Sequence, residues 1–129
     1  MNYVKLDEAE IVKVCLEVED IGLLYHFNLT KDLQSIELLE SMLDLLKEKG
    51  DGVAISNSYF MAGVYLGEII KKSIGGEWVY VIENKEIALK IENEFIFPQS
   101  RIKKFSSESS GDGLLLFAKD ILAKFRSPS

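Results

Sequence analysis

One cysteine, Cys15, and one histidine, His26, are the residue types from which a nucleophile and its base could be built. If the intervening chain is one helix, the two lie roughly 16 Å apart along its axis, far beyond hydrogen-bond reach. The pair therefore reads as a core thiol and a helix-end histidine. Two such ligands are too few for a zinc site. Glu92 and Glu94 flank a turn, and Asp112 sits between Gly111 and Gly113. Acids in such places are normally solvated loop residues. The chain has no Walker-type phosphate loop, no GxGxxG and no HExxH. Gly111-Asp112-Gly113 is too short to cradle a phosphate. No metal site and no cofactor is expected.

Arg101, Lys103 and Lys104 form the one basic cluster with a spacing that could meet a phosphate or an acidic partner. A solvated basic face is the simpler reading. Glu68 is more informative. It can pair with Lys72 one helical turn on, and it precedes Trp78 by ten residues across a glycine pair. A buried indole N–H needs an acceptor, so a Glu68–Trp78 contact across the helix–strand turn is expected. Tyr65, Glu68, Trp78 and Tyr80 are the candidate ligand- or partner-binding residues.

These residues sit on a chain of 129 residues carrying a net charge of −6. That length makes one domain, residues 1–129, with enough hidden surface for a core of its own. A net negative charge is the wrong sign for non-specific nucleic-acid binding. The charge is uneven: residues 1–70 hold 13 acids and 5 bases, residues 71–129 hold 8 acids and 10 bases. The first part stays soluble or attracts a basic partner. A lone cysteine fits a reducing compartment. Met1–Glu8 carries charge early and lacks the apolar stretch of a signal peptide. Val53–Leu66 is interrupted by Ser56, Asn57 and Ser58 and is too polar to span a bilayer. The expected location is the cytoplasm, away from membranes.

Hydrophobic periodicity then places the elements. Asp7 and Glu10 have capping-box spacing, and Ile11, Val14, Cys15, Val18, Ile21 and Tyr25 follow on one helical stripe, with Gly22 weakening or ending the helix. Val12, Val14, Leu16 and Val18 also alternate as in a strand, but the cap and the length favour helix. A second helix starts at Thr30 and ends at Gly50, with Leu33, Ile36, Leu39, Leu43 and Leu46 on its buried face. After the turn Asp51-Gly52, a third helix runs from Val53 to about Ser73. It is apolar nearly all round, which places it between other layers. Gly63 and Gly67 each cost a helix about 1 kcal/mol against alanine. The return is close approach of a neighbouring backbone.

Gly75-Gly76 ends that helix and the period changes to two. Trp78–Ile82, Ile87–Ile91 and Glu94–Phe97 form an antiparallel meander that Pro98 stops. Gln99–Phe105 makes a short helical stretch. After the loop Ser106–Gly111, Asp112 caps a last helix over Leu114–Phe125. The fold class is α+β: two N-terminal helices, a central buried helix, a three-stranded antiparallel meander and a C-terminal helix. Trp78, Tyr80 and Ile82 share one side of their strand and Val79 and Val81 the other. A small sheet apolar on both faces needs cover on both, or a partner.

Tyr65-Leu66-Gly67-Glu68-Ile69-Ile70, then Gly75-Gly76-Glu77-Trp78, a strand pair, Pro98 and a terminal helix together resemble a pattern in small uncharacterised bacterial domains. In these a helix reading YLGE is followed by GGxW, and some are immunity-protein-like. The resemblance covers about residues 60–125. It implies a bacterial source and a shared structural corner containing Tyr65, Gly67, Glu68, Gly76 and Trp78. With Gly63 and Pro98, the glycines are expected to let the corner close tightly. The expected function is a non-enzymatic protein-binding module, immunity-like or regulatory, working with a protein partner or as a homodimer. The alternative is a small enzyme or ligand-binding protein with a pocket at Glu68, Tyr65 and Trp78.

Overall fold

The chain's computed structural model describes residues 2–49, 52–107 and 113–125. Its elements run in the order β1 (Tyr3–Lys5), α1 (Glu8–Leu24), α2 (Leu33–Lys49), α3 (Gly52–Ile74), β2 (Glu77–Val81), β3 (Glu86–Ile91), β4 (Glu94–Ile96), α4 (Pro98–Ser107) and α5 (Leu114–Phe125). The class is α+β. The sheet has four antiparallel strands in the order β1-β2-β3-β4, rather than three. The extra strand pairs Tyr3 with Val81, Val4 with Tyr80 and Lys5 with Val79. Three exposed residues give too little alternation for a strand to show in the sequence.

Asp7 caps α1, its carboxylate accepting the Ala9 N–H at 3.0 Å. This is the single-residue version of the expected capping box. Gly22 does not end the helix; the backbone turns just after it. The Phe27 N–H returns to the Gly22 carbonyl at 2.8 Å. A side chain at Gly22 would meet the Phe27 carbonyl oxygen at 2.9 Å. α2 begins at Leu33 and is capped by Asp32, not Thr30: the Ser35 N–H donates to Asp32 Oδ1 at 2.9 Å. Thr30 instead donates its hydroxyl to Asp32 Oδ2 at 2.9 Å. These bonds, Thr30's first, hold the Asp32 carboxyl below its ordinary range.

Gly50, Asp51 and Asp112, expected at helix ends, lie outside the described residues, as does the tail Ser127–Ser129. The N-terminus of α5 is held from another helix. Glu40 of α2 accepts the Leu114 N–H at 3.1 Å. Burial raises the Glu40 carboxyl above its ordinary value, against the lowering effect of that bond.

α3 touches each of the other four helices. From Ala62 to Leu66, and again at Ile69 and Ile70, its apolar residues are at most 1% exposed. The expected enclosure is present over this stretch, although Phe60, near its start, is open to solvent. Trp78, Leu89 and Ile91 join the sheet to the same core. The sheet's second face is not open. Val79, Val81 and Ala88 are fully buried, with Phe95 and Phe97 packed against them. The Tyr3 ring, from the opposite edge, meets Phe95 edge-on at 5.6 Å. Large aromatic rings reaching in from both edges over small central residues supply the cover this second apolar face needs.

Pro98 follows β4 at the first position of α4, where its missing N–H breaks no helical bond. The expected stretch Gln99–Phe105 is the body of this longer helix. Among the described residues no helix is long and apolar enough to cross a membrane.

Candidate functional site

The corner forms where α3 runs into β2. Gly75 and Gly76 turn the chain with φ of 83° and 115°, a region open to glycine at no steric cost. A side chain at Gly76 would also sit 3.0 Å from the Lys90 carbonyl oxygen. The turn folds Trp78 back over α3, where it is 1% exposed. Its Nε1–H donates to Glu68 Oε2 at 3.0 Å, so the expected glutamate–indole contact is present. Gly67 lies under the ring. A Cβ there would come within 2.3 Å of Trp78 Cη2 and 3.2 Å of Pro98 Cγ. One turn back, a Cβ at Gly63 would be 2.6 Å from the Gln99 Cα. The two glycines thus form a smooth track for the start of α4 and for the indole.

Tyr65 sits on the same helix, fully buried. Its hydroxyl donates to Glu19 Oε2 at 2.9 Å and accepts the Lys31 N–H at 2.9 Å. Burial, helped by Glu19, raises the phenol above its ordinary range. Lys31 has φ of 58°, which costs a non-glycine residue free energy and persists only where its surroundings enforce it. The buried tyrosine does so. Tyr80 does not join this corner. It is half-buried on the sheet, paired with Val4 and Ile87.

Beside the corner, two open hollows share Lys31 and Lys72. One, of about 520 Å³, lies between the Lys31–Gln34 segment and Ile69, Lys72 and Ser73. The other, of about 380 Å³, is lined by Lys31, Glu68, Lys71 and Lys72. Spacing on α3 explains the arrangement: Tyr65, Glu68, Ile69 and Lys72 recur at three and four residues, so they share one face. Lys71 pairs with Glu8 of α1. Glu68 lines the smaller hollow with one carboxylate oxygen engaged by Trp78, but neither Tyr65 nor Trp78 lines it. Lys31 and Asp32 were not singled out in the sequence. The acid three residues before Ser35 was the available sign of a cap there.

Cys15 lies behind this network, fully buried. Burial, with Glu68 and Glu19 adding to it and Lys31 opposing, pushes its thiol from 9.0 up to about 12. Because the folded value is raised, the thiol's contribution to stability is complete below about 9 and is lost as pH rises toward about 12. Raising pH from 8 to 10 is expected to cost about 1 kcal/mol through this group alone. Cys15→Ala should flatten that part of the slope, read from urea midpoints at each pH. An unchanged slope would remove the thiol as its source.

His26 is exposed beyond the end of α1, with φ of 68°, and it does not meet the buried Cys15. Glu94 pairs with Lys124 at 2.7 Å. The Arg101 guanidinium lies over the Phe117 ring at 5.5 Å, while Lys103 and Lys104 face solvent. The basic cluster is therefore split between a packing contact and a solvated face. Among the described residues no group of three or more His, Cys, Asp or Glu is placed to hold a metal ion.

α1 carries a second candidate surface. Its inner face buries Ile11, Cys15, Val18 and Gly22. Val12, Leu16 and Leu23 fall within one narrow outward stripe and are 43%, 54% and 59% exposed, and Leu24 beside them is 77% exposed. Glu8 and Glu19 border the stripe on one side, Asp20 and Lys13 on the other. Lys13 is the only base in the helix. The alternation at Val12, Val14, Leu16 and Val18 was the sequence's sign that α1 has more apolar residues than one buried face can use. No protein-family model, curated protein or solved structure matches the chain.

Proposed function

We propose that the protein is a non-enzymatic binding module of the bacterial cytoplasm, immunity-like or regulatory, that recognises a basic protein partner through the outer face of α1. The observation that carries this reading is the aliphatic stripe Val12–Leu16–Leu23, exposed on a helix that carries five acids and one base. An apolar strip leaves water at a profit when a partner covers it. The excess acids of this helix select a partner of opposite sign and speed its approach. They also disfavour a second copy of the chain, because a two-fold pairing of α1 would set like charges together. An enzyme built on Glu68, Tyr65 and Trp78 has less support, since all three groups are engaged in bonds that hold the fold.

Leu16→Glu/Leu23→Glu tests the reading. Both side chains are solvated, so the double variant should unfold within about 0.5 kcal/mol of the wild type. Affinity capture from the native cells should recover a basic protein with the wild type and lose it with the variant. Equal recovery would overturn the assignment of this face. The purified chain is expected to sediment as a 14.6 kDa monomer. A dimer abolished by the same substitutions would replace the foreign partner with a second copy.

A further inference from the structure

We propose that the hollow between the Lys31–Gln34 segment and the end of α3 binds a phosphorylated small molecule. Its own lining carries two cations and one anion, Lys31 and Lys72 against Asp32. Asp32 is turned into its own loop, where its oxygens accept from the Thr30 hydroxyl, the Ser35 N–H and the Ser35 hydroxyl. Glu68 holds the Trp78 indole, and Lys71 holds Glu8. Lys31 and Lys72 together outweigh the Asp32 charge, which stays close to Lys72. Among the described residues neither ammonium has a hydrogen-bond or ion-pair partner. Two cations from different elements thus line one concavity of about 520 Å³ in a chain whose net charge is −6.

Lys31 is held there at a cost. Its left-handed backbone is fixed by the bond from its N–H to the buried Tyr65 hydroxyl, itself anchored by Glu19. A phosphate monoester carries nearly two negative charges at neutral pH, and lysine meets phosphate as a point charge. Leu33 and Ile69 offer an apolar surface for the body of the ligand. The volume falls within the range of small-molecule sites. This site is separate from the α1 face and stands or falls independently of it.

The test is a titration of ¹⁵N-labelled protein with inorganic phosphate, phenyl phosphate and malonate. Phenyl phosphate is expected to bind best, with shifts confined to Lys31–Gln34 and Lys71–Ser73. Lys72→Met should weaken binding by about tenfold or more, the loss of one charged hydrogen bond. Lys31→Asn should do the same while keeping the left-handed backbone, which asparagine tolerates. Both variants should keep the wild-type Tm. No shift at tens of millimolar phosphate, or binding unchanged in both variants, would overturn the proposal. Malonate binding as tightly as phenyl phosphate would overturn the phosphate assignment.

Discussion

Trp78→Ala is expected to destabilise the protein by about 3–5 kcal/mol, a large share of the stability of a domain this size. The indole is 1% exposed and fills the space between α3, the sheet and Pro98. Alanine would remove most of that apolar contact and leave a cavity that the neighbouring helices cannot close without moving. The lost bond to Glu68 adds less, because Glu68 is half-buried and water can replace the indole N–H. Trp78→Phe separates the two effects: it keeps a ring over Gly67 and removes the N–H. Its cost should therefore be well under half that of alanine. Urea unfolding with an unchanged m-value is the measurement. A loss below about 1 kcal/mol for Trp78→Ala would show that the indole is not a packing element.

Gly67→Ala has the second largest effect and an unusual sign. Inside a helix this change normally gains about 1 kcal/mol. Here the new methyl would lie 2.3 Å from Cη2 and 2.4 Å from Cζ2 of Trp78. The ring cannot slide aside freely, because its Nε1 is tied to Glu68, the next residue of the same helix. Overpacking of this severity costs up to about 3 kcal/mol, so a net loss of about 2 kcal/mol is expected. The two substitutions must then be strongly non-additive. In a Trp78→Ala background the clash is gone, and Gly67→Ala should become neutral or mildly stabilising. A loss of the same size in both backgrounds would place the strain elsewhere.

The parts of this corner that the sequence revealed are the local ones. Glu68 and Trp78 are ten residues apart across a glycine pair, so a helix ending at Ile74 and a strand starting at Glu77 bring them face to face. The glycine spacing at Gly63 and Gly67 announced a close approach, though not that α4 would be one of the approaching elements. What the sequence hid depends on contacts between distant segments. The Glu40 cap on α5 joins residues 74 positions apart, and no local pattern encodes it. β1 is too short to show a period, and it exists because β2 offers it an edge. What covers the sheet's second face did not show, because Phe95 and Phe97 were read only as strand residues, whereas their size closes over Val79 and Ala88. With Thr30 read as the cap, Lys31 fell in the first turn of the second helix. Its constrained backbone becomes visible only with the Tyr65 bond in place.

The stripe on α1 was masked by its own regularity. Val12 and Leu16 entered the sequence reading only through a competing strand alternation, and only the packing shows that Ile11, Cys15 and Val18 take the buried face. Surplus aliphatic residues on a water-facing side lower solubility unless something covers them. The excess acids of the same helix oppose that loss of solubility.

A photo-reactive amino acid at position 16, set against one at Lys103, which is also exposed, tests recognition through α1 most directly in living cells. A single discrete adduct with a basic protein is expected from position 16 and none from position 103. The same adduct from both positions, or none from position 16 while the protein remains folded, would contradict it.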